Sequence, residues 1–194
     1  MPVADLKARL RGQALARRSA LSLAERQAFA ANLAISALQF IQSIPGRPII
    51  SAYWPINDEA DTRPMLKALA QAGFATALPV TGARGTALVF RLWQPGDPQV
   101  KGQLAIPEPA PHLPLAEPDI LFVPLAAFDR RGHRIGYGAG HYDCTLAQLR
   151  AKKPVLAIGI AYYEQEIAEV PAQSHDARLD FVLTPRQLID CRTP

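Results

Sequence analysis

Two continuously apolar runs, residues 120–123 (Ile-Leu-Phe-Val) and 155–160 (Val-Leu-Ala-Ile-Gly-Ile), constrain the fold more than any other feature of the sequence. Neither alternates with polar residues, so each must be covered on both faces, the condition met inside a parallel sheet. A glycine-rich stretch and a helical segment at 145–150 lie between them, enough chain for a crossover. The same alternation recurs upstream and downstream. Strands are expected at 48–53, 73–79, 86–92, 119–123, 154–160 and 179–184, and helices at 5–20, 22–43 and from Asp61 or Thr62 to Gly73. Ser22-Leu23-Ala24-Glu25 is a capping box opening the second helix, whose Phe29, Leu33, Ala37, Phe40, Ile41 and Ile44 recur at helical period and should face the core. Pro45-Gly46 ends it, and Pro64 suits the first turn of the third. The fold class is α/β, a mostly parallel sheet covered by helices, and ligands in such folds lie beyond the carboxyl ends of the strands.

Residues 94–118 contain seven prolines and no helical period, which reads as a wrapping loop with short extended pieces, 103–106 as an edge strand. One domain spanning 1–194 is expected. No apolar run approaches the roughly 20 residues that cross a bilayer, and no secretory signal is read at the start. Cys144 and Cys191 have no metal-like spacing and fit free thiols in a reducing cytoplasm. The net charge of +4 is carried by residues 1–26, where Lys7, Arg9, Arg11, Arg17, Arg18 and Arg26 face only Asp5 and Glu25. A local anionic ligand fits that placement better than a broad nucleic-acid surface. Lys7 and Arg11, at i and i+4, project from one side of the first helix.

Residues 128–143 (Phe-Asp-Arg-Arg-Gly-His-Arg-Ile-Gly-Tyr-Gly-Ala-Gly-His-Tyr-Asp) follow a strand and precede a helix. Glycines that let the backbone approach a ligand, with cations and free N–H groups at a helix start, suit phosphate. Gly136, Gly138 and Gly140 nevertheless match neither the dinucleotide fingerprint nor the P-loop. A purely structural alternative exists for Asp129–Gly132, which has the residues of a type I turn.

Four blocks in order carry a family resemblance. They are 7–11 (Lys-Ala-Arg-Leu-Arg), 54–62 with Trp54 and Glu59, 128–143, and 175–184 with His175, Asp176 and Asp180. Together they resemble 5-formyltetrahydrofolate cyclo-ligase, also called 5,10-methenyltetrahydrofolate synthetase. The resemblance implies a three-layer α/β/α enzyme, a ligase of one-carbon folate metabolism. It would use ATP and Mg²⁺ to close 5-formyltetrahydrofolate into 5,10-methenyltetrahydrofolate, releasing ADP and phosphate through phosphorylation of the formyl oxygen. By the same resemblance ATP contacts fall on Lys7, Ala8, Arg9, Leu10 and Arg11, and on Arg134, Ile135, Gly136, Tyr137, Gly138, Ala139, Gly140, His141 and Tyr142. Folate contacts fall on Trp54, Glu59, Tyr137, Gly138, Ala139, Gly140 and His141, and magnesium on Asp143 and Asp180; Arg134 and Lys7 are the candidate catalytic cations. Expected partners are the folate, with or without a polyglutamate tail, and neither nucleic acid nor membrane, for a cytoplasmic monomer. Two positions depart from the family pattern: His141 stands where tyrosine is usual and Cys144 where arginine is usual. The alternatives are a non-catalytic nucleotide or anion binder on the same scaffold, and an RNA binder using the basic first helix, the latter disfavoured because residues 1–26 contain no aromatic.

Overall fold

The computed structural model describes residues 2–103 and 105–192. Two helices come first, α1 (Val3–Ser19) and α2 (Leu23–Gln42), the second opened by the expected capping box, with Ser22 Oγ accepting from the Glu25 N–H at 3.2 Å and Glu25 returning to the Ser22 N–H at 2.8 Å. Then follow β1 (Ile50–Ser51), α3 (Arg63–Gln71), β2 (Thr76–Val80) and β3 (Val89–Leu92). The proline-rich stretch holds β4 (Gln99–Lys101), β5 (Pro107–Pro109) and β6 (Leu115–Ala116). After β7 (Ile120–Pro124) come the short pair β8 (Ala127–Phe128) and β9 (Arg134–Ile135), then α4 (His141–Arg150), β10 (Leu156–Ile160), a 3-10 turn at Tyr163–Gln165, β11 (Phe181–Leu183) and β12 (Leu188–Asp190).

Eight strands share one sheet in the order β12-β11-β10-β7-β1-β2-β3-β6. The five central strands, β11 through β2, run parallel, and the outer strands are antiparallel. The apolar runs occupy the middle, where Ile120 pairs with Leu156 and Val123 with Gly159. Their side chains divide by period two. Ile120, Phe122, Ile158 and Ile160 pack with Phe29, Leu33, Ile41, Met65 and Leu69 from α2 and α3. Leu121, Val123 and Ala157 pack with Leu146 and Leu149 from α4. Helices on both faces give the expected three layers. Among the described residues no helix is long and apolar enough to cross a membrane.

Three local expectations change. α4 begins at His141, four residues earlier than expected, with Gly140 in the left-handed region at its N-cap (φ 74°). The edge strand expected at 103–106 includes Leu104, outside the described residues; its neighbours close the β4–β5 hairpin, with the Gly102 N–H donating to the Ile106 carbonyl at 2.8 Å. A further antiparallel strand, β12, was not expected and caps the edge beside β11.

Between β8 and β9 the chain reverses on buried Asp129, whose carboxylate accepts from the N–H groups of Arg131 (2.9 Å), His133 (3.1 Å) and Val170 (3.0 Å). Gly132 closes this turn at φ 84°, and a Cβ there would fall 2.4 Å from the Leu179 carbonyl oxygen. Gly132→Ala should therefore cost more than ~2 kcal/mol, since left-handed strain alone is worth about 1–2. A denaturant midpoint equal to wild type would contradict this.

Candidate functional site

The central strands deliver their carboxyl ends to a cavity of about 580 Å³. It is bounded by α1, the 53–59 loop, the end of β2, the β4–β5 hairpin, residues 134–144 and the segment at 175–176. A wider cleft of about 890 Å³ lies near the amino ends, beside α4's last turn. Its cations are already committed: Lys152 to Glu117, Lys153 to Asp119, Arg150 to Asp180 and Arg47 to the Gly73 carbonyl. The first cavity is the one built from chemically distinctive residues.

Its centre is Arg134, buried at β9. One guanidinium nitrogen donates to Asp143 Oδ1 at 2.8 Å and another to the Ala177 carbonyl, while the Ala177 N–H donates to the same Asp143 oxygen at 3.0 Å. The other carboxylate oxygen of Asp143 has no hydrogen-bond partner among the described residues. Residues 136–140 then run without side-chain capping into α4. The first-turn N–H groups of α4 are thus left to a ligand, with the positive end of the helix dipole behind them.

The glycine stretch is clasped from two sides. Arg11 Nε donates to the Gly136 carbonyl at 2.7 Å, and its guanidinium lies over Gly138, which sits at φ 91°. From the β2–β3 connection, Arg84 donates to the Gly138 carbonyl (2.9 Å) and the Gly85 N–H to the Ala139 carbonyl (2.8 Å). His141 Nδ1 meets the Thr86 carbonyl at 2.9 Å, so Nδ1 carries a proton there. Cys144 Sγ donates to the Gly85 carbonyl at 3.3 Å.

Of the block 7–11, the structure brings only Lys7 and Arg11 to the cavity. Lys7 pairs there with Asp176, whose carboxylate also accepts the Gln173 N–H at 2.7 Å. Ala8 and Arg9 face solvent and Leu10 packs with Ala14, Ala127, Ile135 and Val170, as 100° per residue requires. Ala8, Arg9 and Leu10, also expected as ATP contacts, do not line this cavity. Four of the six cations in residues 1–26 are tied to partners within the molecule, Arg17 to the Glu164 carbonyl and Arg18 to Asp58 besides these two.

Trp54 lines the cavity with its ring edge-on to Trp93 (5.8 Å) and Arg63 over it (5.7 Å). Glu59 is 8% exposed and accepts the Ile56 N–H at 3.0 Å. Burial lifts its pKa above the ordinary carboxylate range, against the Tyr137 hydroxyl, the Ile56 N–H and the Arg18 guanidinium, which lower it. Asp180 is not in the cavity. It precedes β11, at the amino end of a parallel strand, where it accepts from Arg150 (2.7 Å) and the Ala157 N–H (2.7 Å). Asp143 and Asp180 therefore sit beside opposite ends of α4, and the expected carboxylate pair does not assemble. Among the described residues no cluster of three His, Cys, Asp or Glu could hold a metal.

Sequence reasoning missed Tyr53, Thr81, Leu88 and Glu108. Glu108 is buried, accepts the Thr81 N–H at 3.0 Å and packs so closely on Gly102 that a Cβ there would collide with it. It lies in an aperiodic, proline-rich stretch, where no local signal marks it.

Residues 3–185 match the model of the 5-formyltetrahydrofolate cyclo-ligase family. The chain is 34% identical over 139 residues to the 5-formyltetrahydrofolate cyclo-ligase of Haemophilus influenzae, covering 69% of this chain and 74% of that one. It is 35% identical over 152 residues to the enzyme of Mycolicibacterium smegmatis, covering 74% and 76%. Among solved structures, the 5,10-methenyltetrahydrofolate synthetase of Aquifex aeolicus superposes with a TM-score of 0.78 at 25% identity, over 97% of this chain and 94% of that one. That of Mycoplasma pneumoniae gives 0.70 at 25% identity, over 96% and 99%.

The two thiols differ in reach. Cys144 lines the cavity, whereas Cys191 is fully buried, and burial pushes its pKa up to about 11. A chromogenic disulfide reagent at pH 7.5 should titrate one thiol rapidly in the folded protein and the second only in denaturant. Two equally fast thiols would contradict the placement of Cys191.

Proposed function

This chain belongs to the 5-formyltetrahydrofolate cyclo-ligase family, and we propose that the cavity beyond β7, β1 and β2 is where its two substrates meet. The activity is the ATP-dependent closure of 5-formyltetrahydrofolate to 5,10-methenyltetrahydrofolate, with release of ADP and phosphate. Family membership sets aside the alternative of a non-catalytic binder. What carries the site assignment is one observation: Lys7, Arg11, Arg134, the uncapped start of α4, Trp54 and Glu59 line the same cavity.

A formamide carbon is a poor electrophile, and its oxygen leaves poorly. Transfer of the γ-phosphoryl group to that oxygen gives an imidate phosphate that the N10 amine attacks; phosphate departs with the oxygen and N10 gives up its proton. Phosphoryl transfer asks the protein chiefly for alignment and charge neutralisation. Lys7, Arg11 and Arg134 supply positive charge, and residues 138–142 supply N–H donors at the helix start. Trp54 offers an aromatic face to the folate, and Glu59 accepts from the N–H edge of the pterin.

Magnesium fits through one carboxylate. Asp143 Oδ2 has no partner among the described residues, and Mg²⁺ on a nucleotide commonly takes one or two carboxylates with phosphate oxygens and waters. Asp143 would hold it, and the ion would neutralise phosphate charge; Asp180, committed to Arg150 and the Ala157 N–H outside the cavity, would take no part. Two free thiols agree with a cytoplasmic setting, and we take the working unit to be a monomer.

The experiment is to follow the near-ultraviolet absorbance of the methenyl product from 5-formyltetrahydrofolate, with ATP and Mg²⁺ each added or withheld. Product should require both, and product formed without ATP would refute the reading. Arg134→Ala should lower kcat by about 10²–10³-fold, the usual cost of one donor aimed at developing charge. Wild-type rates in a folded variant would remove Arg134 from the chemistry. Glu59→Gln should raise the folate KM at least tenfold with the ATP KM little changed, and an unaltered folate KM would take Glu59 out of the site.

A further inference from the structure

Among the described residues, Arg18 is the one buried cation that the reaction just described leaves without a task. Its guanidinium, with the residue 3% exposed, donates to Asp58 Oδ1 through Nε (3.0 Å) and again through Nη2. Its Nη1 donates to the Tyr137 hydroxyl at 2.7 Å. Ser19 holds the other Asp58 oxygen. Tyr137 and Glu59 line the same cavity. One side chain on α1 thus joins the 53–59 loop to the glycine stretch, at the point where both contribute to the cavity. Lys7, Arg11, Ala14 and Arg18 are spaced by four, three and four residues, so they form one stripe along α1. Lys7 and Arg18 are eleven residues apart, roughly 16 Å along the helix axis. The inward face of α1 is therefore a cationic rail, with Lys7 and Arg11 at the proposed phosphate site and Arg18 behind Glu59.

We propose that Arg18 is a positioning residue for folate recognition, its guanidinium tying Asp58 on the 53–59 loop to Tyr137 so that Glu59 is held as an oriented carboxylate. This rests on reading Glu59 as the acceptor for the pterin edge. Burial alone would favour the neutral acid, which presents one acceptor fewer and an O–H in its place. The groups facing Glu59 are Arg18 on α1, Tyr137 in the glycine stretch, Tyr142 on α4, Tyr53 beyond β1 and Asp58 on its own loop. Arg18 is the only one of these that bears positive charge. It lowers the pKa of Glu59, whereas Asp58 raises it. Folate recognition fails as pH falls through that pKa, so removing Arg18 must move the failure upward and removing Asp58 must move it downward.

The test is the pH profile of kcat/KM for 5-formyltetrahydrofolate at saturating ATP, in wild type, Arg18→Met, Arg18→Lys, Asp58→Asn and Glu59→Gln. Arg18→Met should shift the acid limb up by about one unit or more, with recovery at alkaline pH and an unchanged ATP KM. Asp58→Asn should shift it down. Arg18→Lys, which keeps the charge but loses the fork, should fall between wild type and Arg18→Met. A pH-independent loss in Arg18→Met would mean a merely structural role and overturn the proposal. Should Arg18→Met not fold, Asp58→Asn decides: an unmoved or raised limb overturns it. If Glu59→Gln leaves folate kinetics intact, the reading of Glu59 fails and takes this proposal with it. If Glu59→Gln impairs folate binding while neither Arg18→Met nor Asp58→Asn moves the limb, only the role of Arg18 fails.

Discussion

The bond set around Asp143 is what the rest of the site depends on. Arg134 from β9, Asp143 from the first turn of α4 and the backbone of Ala177 ahead of β11 meet on one carboxylate oxygen. Three segments separated in sequence are fixed to each other there, and residues 136–140 have no freedom but to arch between two of them. A buried ion pair is weak evidence for stability, because desolvation offsets most of its attraction. Its value here is geometric. It commits one oxygen of Asp143 and leaves the other to the cavity, and it holds the uncapped end of a helix where an anion can reach it.

The rail on α1 is the second constraint, and it explains why the first helix has so little apolar character on its inner side. α1 does not join the two large cores; it packs through Leu10 and Ala14 onto a small cluster with Ala127, Ile135 and Val170. Its cations are then satisfied by Asp176, the Gly136 carbonyl and Asp58. An element held mainly by polar contacts with the loops it organises is coupled to whatever occupies those loops.

Much of this was legible in the sequence. Continuous apolar strands alternating with helices announce a parallel sheet, and the capping box at Ser22 marks α2 to the residue. The start of α4 was not legible, because Gly140 caps it by adopting a left-handed conformation where side-chain caps are the usual signal. The contribution of the β4–β5 hairpin was hidden for a different reason: prolines at 107 and 109 argue against strands, and only tertiary pairing with Gln99 and Lys101 makes them so. Two placements, by contrast, follow from the fold itself. Asp180 stands before its strand, so a parallel sheet must place it at the end away from the ligand. Ala8, Arg9 and Leu10 lie between Lys7 and Arg11 in sequence, and helical geometry turns them elsewhere. Arg18 completes a 4-3-4 spacing with Lys7, Arg11 and Ala14 that was present to be read.

The central claim is that these elements aim a nucleotide's terminal phosphate at a formyl oxygen. It is tested most directly by converting 5-formyltetrahydrofolate labelled with ¹⁸O in the formyl group and reading the isotope shift of the released phosphate by ³¹P NMR. Recovery of the label in inorganic phosphate is the expected result. Unlabelled phosphate accompanying full conversion to the methenyl product would contradict it, and with it the assignment of Arg134, Lys7 and the start of α4 to that transfer.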